Sequence, residues 1–136
     1  MKKKSFYSCV DCLIPSPLSE QHMVIKKKAE AENGIITAYA SEEVRFASNQ
    51  PWIFIKLKET KGLDGVIFFS VDQFLYGDHF NLKLFKNIID YGYEIHFARE
   101  NFSFYKNSKN NQILDFIISH DLVFRRKEEE IRNLIY

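Results

Sequence analysis

Leu63-Asp64-Gly65-Val66-Ile67-Phe68-Phe69-Ser70-Val71 is the stretch on which the fold turns. An Asp-Gly turn leads into four large apolar residues, then a serine and a valine. A strand solvated on one side alternates apolar with polar residues. This one is apolar toward both sides, as a central parallel strand must be when helices cover each face. The run predicts a strand over Val66–Val71.

Toward the N-terminus the same logic gives a first strand over Phe6–Val10 and a second over Ile35–Tyr39. Between them Ser16-Pro17 opens a helix, with a capping hydroxyl and a proline in the first turn. The helix continues through Leu18, His22, Ile25 and Ala29, spaced at helical intervals, and Asn33-Gly34 closes it with a residue suited to a left-handed cap. Asn49-Gln50-Pro51 reads as another helix start. In Trp52–Leu57 the alternation of Ile53, Ile55 and Leu57 suggests a strand, whereas the flanking Asn-Gln-Pro and Lys-Glu-Thr favour a helix, and a helix is expected.

Toward the C-terminus Asp78 is the candidate cap of a helix with the stripe Leu84, Phe85, Ile88 and Ile89, ending at Gly92. Tyr93–Ala98 is the fourth strand. From about Asn111 to Tyr136 the pattern is helical, with a break near Ser119-His120-Asp121. The chain order β-α-β-α-β-α-β-α predicts a single α/β domain over residues 1–136. Its expected form is a three-layer, parallel-rich sheet of about four to five strands flanked by helices, with a long C-terminal helix.

Composition fits that picture. With 136 residues, 46% hydrophobic and 27% charged, the chain can bury a proper core. Nineteen basic and eighteen acidic side chains leave a formal charge of +1, without the cationic surplus that nucleic-acid binding requires. The clusters Lys2–Lys4, Lys26–Lys28 and Arg125–Lys127 read as solvated faces, the last answered at once by Glu128–Glu130. No apolar run is long enough to span a bilayer, and Met1-Lys2-Lys3-Lys4 has no apolar region behind it. A cytoplasmic chain with reduced thiols and no membrane insertion is the expectation.

Few motifs carry chemistry on their own. Cys9-Val10-Asp11-Cys12 has the spacing of a redox pair, but Cys9 falls inside a strand, so two small core or edge thiols are expected. His22, His79, His96 and His120 show no paired ligand spacing, and no metal or other cofactor is expected. The five glycines are scattered, with no phosphate-binding loop. His96, in Glu94-Ile95-His96-Phe97, reads as a histidine held by core hydrogen bonds rather than as a general base. The stronger argument is positional: ligands collect beyond the carboxyl ends of parallel strands, near the switch in strand order. Those ends and the helix turns behind them nominate Asp11, Gln21, His22, Arg45, Ser70, Asp72 and Gln73 as ligand contacts, with Glu100 nearby. Asp11, His22 and Asp72 are the candidates for acid–base chemistry should the chain be an enzyme.

Tyr7-Ser8-Cys9-Val10-Asp11-Cys12 falls where serine recombinases have Tyr-x-Arg-Val-Ser-Thr. Gln21 fits a glutamine early in the first helix, Gln50-Pro51 an Arg-Pro pair, and Ser70–Tyr76 the segment Ser-x-Asp-Arg-Leu-x-Arg. Across nearly its whole length the chain thus resembles the serine recombinase (resolvase) catalytic domain, which implies a resolvase-like fold. The departures all concern chemistry: Asp11 stands for the nucleophilic serine, and Cys9, Gln50, Gln73 and Tyr76 stand for arginines. Phosphoryl transfer needs a nucleophile and cationic stabilisation, so a pseudoenzyme without strand exchange is expected.

A second set of blocks runs in order through Glu20-Gln21-His22, Val24-Ile25-Lys26, Asn33-Gly34, Leu63–Ile67, Gln73-Phe74 and Glu94–Ala98. In these the chain resembles a small bacterial family named for sporadic occurrence in carbohydrate gene clusters. The resemblance implies a setting in surface polysaccharide or lipopolysaccharide synthesis, with a sugar-derived small molecule or a glycan-pathway enzyme as partner. Two rivals are a small acid–base enzyme and a catalytically dead regulator that binds nucleic acid. Ile131, Leu134 and Ile135 at the terminus, taken with the recombinase resemblance, suggest a homodimer through the C-terminal helix.

Overall fold

The structure, a computed structural model, describes residues 2–11, 14–39, 52–76 and 79–105. Cys12, Arg45, the Asn49–Pro51 helix start, the Asp78 cap and the C-terminal helix lie outside the described residues.

The elements run β1 Lys4–Cys9, α1 Leu18–Ala31, β2 Gly34–Tyr39, α2 Trp52–Glu59 and β3 Gly65–Phe68, then a 3-10 turn over Val71–Phe74. There follow β4 Leu75–Tyr76, β5 His79–Phe80, α3 Leu82–Tyr91, β6 Glu94–Phe97 and β7 Phe102–Phe104. The main sheet has the order β2-β1-β3-β6-β7, and β4 and β5 form a separate antiparallel pair. The first four strands of the main sheet are parallel, and β7 returns antiparallel beside β6. The chain is therefore an α/β domain with a mostly parallel five-stranded sheet, and β3 lies at its centre as its two-sided apolar run predicts.

Two cores sandwich the sheet. Phe6, Val10, Ile67 and Phe69 pack against Ile25 and Ala29 of α1. On the other face Tyr7, Cys9, Val66, Phe68, Ile95 and Phe97 meet Leu57 of α2 and Leu84, Phe85 and Ile88 of α3. Alternation along each strand sends neighbouring side chains to opposite helices. The 52–57 segment is helical, and the Tyr93 hydroxyl donates to the Leu57 carbonyl at 2.7 Å, tying α2 to the end of α3.

The Asp64-Gly65 turn fixes where β3 begins. Asp64 Oδ2 accepts from the Ser5 amide at 2.8 Å, and the Asp64 carbonyl accepts from the Glu94 amide at 3.0 Å. Gly65 sits opposite Glu94, and a Cβ there would stand 2.5 Å from the Glu94 carbonyl oxygen. Only glycine lets the two strands approach so closely.

Several expected boundaries move, each for a local reason. The central strand stops at Phe68 rather than Val71. Beyond it the Gln73 amide oxygen takes the Ser70 N–H and the Ser70 hydroxyl takes the Asp72 N–H, folding the backbone into the 3-10 turn. Ser16 does not cap α1: Pro17 holds the N-cap position with no side-chain bond, and the Ser16 hydroxyl donates instead to Glu20. Of the expected stripe Leu18, His22, Ile25 and Ala29, the last two are buried and Leu18 packs partly buried beside them, while Gln21 and Lys28 join the buried face and His22 stays half-buried. Asn33, at φ 57°, takes the left-handed position after α1 as expected. Asn81 caps α3 by accepting from the Leu84 amide at 3.1 Å, and Gly92, at φ 107°, ends it. β4, β5 and β7 are too short for a periodic signal of their own.

Candidate functional site

The parallel strand order switches between β1 and β3, because β1 leads through α1 to β2 on one side and β3 leads through α3 to β6 on the other. The crevice beyond the carboxyl ends of these two strands is the usual binding place in such sheets. Asp11, Ser70, Gln73 and Glu100 collect there, and two buried glutamines lock its floor.

Gln21 reaches from the first turn of α1 to the end of β1. Its Oε1 accepts from the Asp11 amide at 2.9 Å, while its Nε2 donates to the Asp11 carbonyl at 2.9 Å and the Ser16 carbonyl at 3.0 Å. Gln73 does the same between strands: its Nε2 donates to the Cys9 carbonyl at 3.1 Å and its Oε1 accepts from the Ser70 amide at 3.0 Å. Both amides are sealed from solvent and committed to backbone. They shape the crevice rather than face into it. Cys9 is buried against the α2 and α3 side, an inert setting for a thiol.

Above this floor lies a charged cluster. The Ser70 hydroxyl donates to Glu100 Oε2 at 2.8 Å, and the Val71 amide donates to Glu100 Oε1 at 3.2 Å. Arg99 donates from Nε to Glu100 at 3.1 Å and from its terminal amine to Asp72 Oδ2 at 2.6 Å, with its guanidinium over the Phe69 ring at 5.5 Å. Desolvation works against the charged Arg99, but its bonds to Asp72 and Glu100 prevail and raise its pKa. Arg99 was not among the nominated residues. It follows β6 by two positions, at the strand end that positional reasoning singles out.

The acid–base trio is not drawn together by any described contact. The half-buried ring of His22 rests against Tyr39 of β2 at 5.6 Å, whereas Asp72 is tied to Arg99 beyond β6. In the order β2-β1-β3-β6 those anchors stand three strand spacings apart, about 14 Å.

A second polar assembly occupies the α1 face of β6 and β7. His96 is fully buried, with Nε2 2.9 Å from Glu94 Oε1 and Nδ1 2.9 Å from the Ser103 hydroxyl. Because an ionised carboxylate only accepts, Nε2 carries the proton and Ser103 donates to Nδ1. Lys4 closes the far side of Glu94 at 2.8 Å. The Tyr105 hydroxyl donates to Glu32, whose carboxylate also lies 3.8 Å from the Lys28 ammonium. Burial holds the His96 pKa down, against the opposing pull of Glu94 and Glu32. The Glu94 and His96 pairing is legible as an i, i+2 couple on one strand face; Ser103 is not, because β7 was not foreseen.

Among the described residues no three His, Cys, Asp or Glu side chains are grouped to hold a metal ion, and no helix is long and apolar enough to cross a membrane. Compared with protein-family models, with curated proteins and with solved structures, the chain matches none.

Proposed function

We propose that the chain is a binding domain with a resolvase-like scaffold, a non-recombinase accessory protein of bacterial surface-carbohydrate synthesis. In this reading its strand-end crevice holds a sugar-derived metabolite, presented alone or by a partner enzyme. The observation that carries it is the character of the rim. The positions where the recombinase resemblance expects a serine nucleophile and a phosphate-holding arginine are Asp11 and Gln73, and Gln73 is spent on the Cys9 and Ser70 backbone. Arg99, the cation described there, is matched by Asp72 and Glu100. Such a rim repels a phosphodiester and gives phosphoryl transfer no cationic support. Carboxylates with an adjacent guanidinium and a hydroxyl suit hydroxyl groups or an amino sugar instead. The strand order, switching between β1 and β3, supports the resolvase-like reading of the scaffold.

Calorimetry on the full chain with glucose, glucosamine and UDP-glucose tests this. Heat from glucose or glucosamine, reduced in Asp72→Asn, is the expected result. Heat from UDP-glucose alone would mean recognition through phosphate and would overturn the rim argument. No heat from any of the three, together with no pathway enzyme retained in a pull-down, would remove the reading altogether.

A further inference from the structure

Three consecutive lysines, Lys26, Lys27 and Lys28, lie on the last turns of α1, and only Lys28 is drawn inside. Its ammonium donates to Asn101 Oδ1 at 2.9 Å and lies 3.8 Å from Glu32. Sequence patterning treats these lysines as a solvated face. Lys26 and Lys27 are exposed in keeping with this, and Lys27 and the buried Lys28 line a cleft of about 250 Å³ between α1 and the Ala98–Asn101 turn, together with Val24, Ala31, Ala98 and Asn101.

We propose that this cleft binds a small organic carboxylate. Its lining holds two cations and an amide but no acidic side chain. Lys27 has no ion-pair or hydrogen-bond partner among the described residues. With Asn101 Oδ1 taken by Lys28, the side-chain NH2 of Asn101 remains as a donor. Lys28 has a third hydrogen beyond those directed at Asn101 and Glu32. A carboxylate in the cleft gives the largely buried Lys28 ammonium a second counter-charge beside Glu32. Val24, Ala31 and Ala98 supply an apolar wall for an aliphatic body. The volume falls below the roughly 300–1,000 Å³ of drug-sized sites, which limits the ligand to a few carbons.

Asn101 adopts a left-handed conformation, φ 57°, at the corner of the turn joining β6 to β7. The same turn carries Arg99 and Glu100 to the strand-end rim, so the two places share one turn while using different residues. The carboxylate site does not depend on the sugar-binding reading.

Titration of the 15N-labelled full chain with propionate, its neutral isostere propionamide, and inorganic phosphate tests the proposal by amide shifts. Propionate is expected to give saturable shifts centred on Val24, Lys28, Ala31, Ala98 and Asn101, with propionamide roughly tenfold weaker for want of charge. Lys28→Met should abolish binding. Because its burial puts folding at risk, the exposed changes Lys27→Gln, weakening binding about threefold, and Ala31→Leu, filling the wall, keep the question decidable. Equal responses to propionate and propionamide would overturn the proposal. So would shifts from phosphate with none from propionate, or full propionate binding in Lys27→Gln and Ala31→Leu.

Discussion

Gln21 makes three hydrogen bonds from a side chain that solvent does not reach. Gln21→Leu keeps the volume but takes the side-chain partner from the Asp11 amide and the Ser16 carbonyl, while the Asp11 carbonyl keeps the Ile14 N–H at 3.2 Å. At about 1–3 kcal/mol for each buried group left without a partner, less what local water recovers, a loss of about 3 kcal/mol is expected from the urea midpoint. An unchanged midpoint would show that the clamp is dispensable. Asp72→Asn should behave oppositely. Its pair with Arg99 is more than a third exposed on both sides, so stability changes by under about 1 kcal/mol, while sugar heat falls in the calorimeter. The two glutamines stood among ligand candidates in the sequence because an amide suits a ligand as well as a backbone. Nothing in the neighbourhood of position 21 says that its partner is the peptide of residue 11, ten positions away and on another element. His96 sets a pH dependence. Burial holds its pKa below the ordinary 6.5, and unfolding restores that value. Below pH 6.5 the unfolded chain therefore binds a proton that the folded chain refuses. Stability is complete above that pH and declines as pH falls toward the folded value. Glu32 adds a second decline at lower pH. Burial opposes its charge, but the Tyr105 hydroxyl, His96 and Lys28 together bring its pKa below 4.5, so its contribution holds above 4.5 and is lost as pH falls through the folded value. Urea midpoints followed from pH 8 to well below 4.5 should show both steps, and His96→Gln should erase the first and shrink the second, since His96 helps to lower the Glu32 pKa.

At the scale of elements, β3 and its turn fix the rest of the sheet. Gly65→Ala places a methyl 2.5 Å from the Glu94 carbonyl oxygen and 2.8 Å from its Cβ, inside the contact between two central strands. Overpacking of this kind costs about 1–3 kcal/mol, and differential scanning calorimetry should register it as a lowered Tm. A wild-type Tm would mean that β3 and β6 can separate without cost. What made β3 legible was its apolar character toward both faces, a property of Val66–Phe69 alone. The α3 stripe of Leu84, Phe85, Ile88 and Ile89 was legible for the same reason, since burial follows directly from helical spacing. The capping of α1 was not: Ser16 and Pro17 both suit a helix start, and the choice rested on the Gln21 amide capturing the Ser16 carbonyl. The end of β3 was set by Ser70 and Gln73 competing for backbone groups, an outcome that hydrophobic periodicity does not register. β7 is three residues long, and its partner relation to β6 exists only because the Ala98–Asn101 turn reverses the chain.

For the whole molecule, the near-neutral balance of nineteen basic and eighteen acidic residues and the paired charges at the strand ends point in one direction. Neither supplies the cationic field that DNA strand exchange requires. The parallel order switches at the strand ends where α/β sheets bind ligands, and two glutamines tie the backbone there without adding charge. In the proposed function these strand ends receive a hydroxyl-rich, phosphate-poor molecule. Amide spectra of the 15N-labelled chain during glucosamine titration test it most directly. Saturable shifts concentrated at Asp11, Ser70, Asp72, Arg99 and Glu100, weakened by Asp72→Asn, are the expected result. Shifts absent from all five positions at saturating sugar, or unchanged in Asp72→Asn, would contradict it.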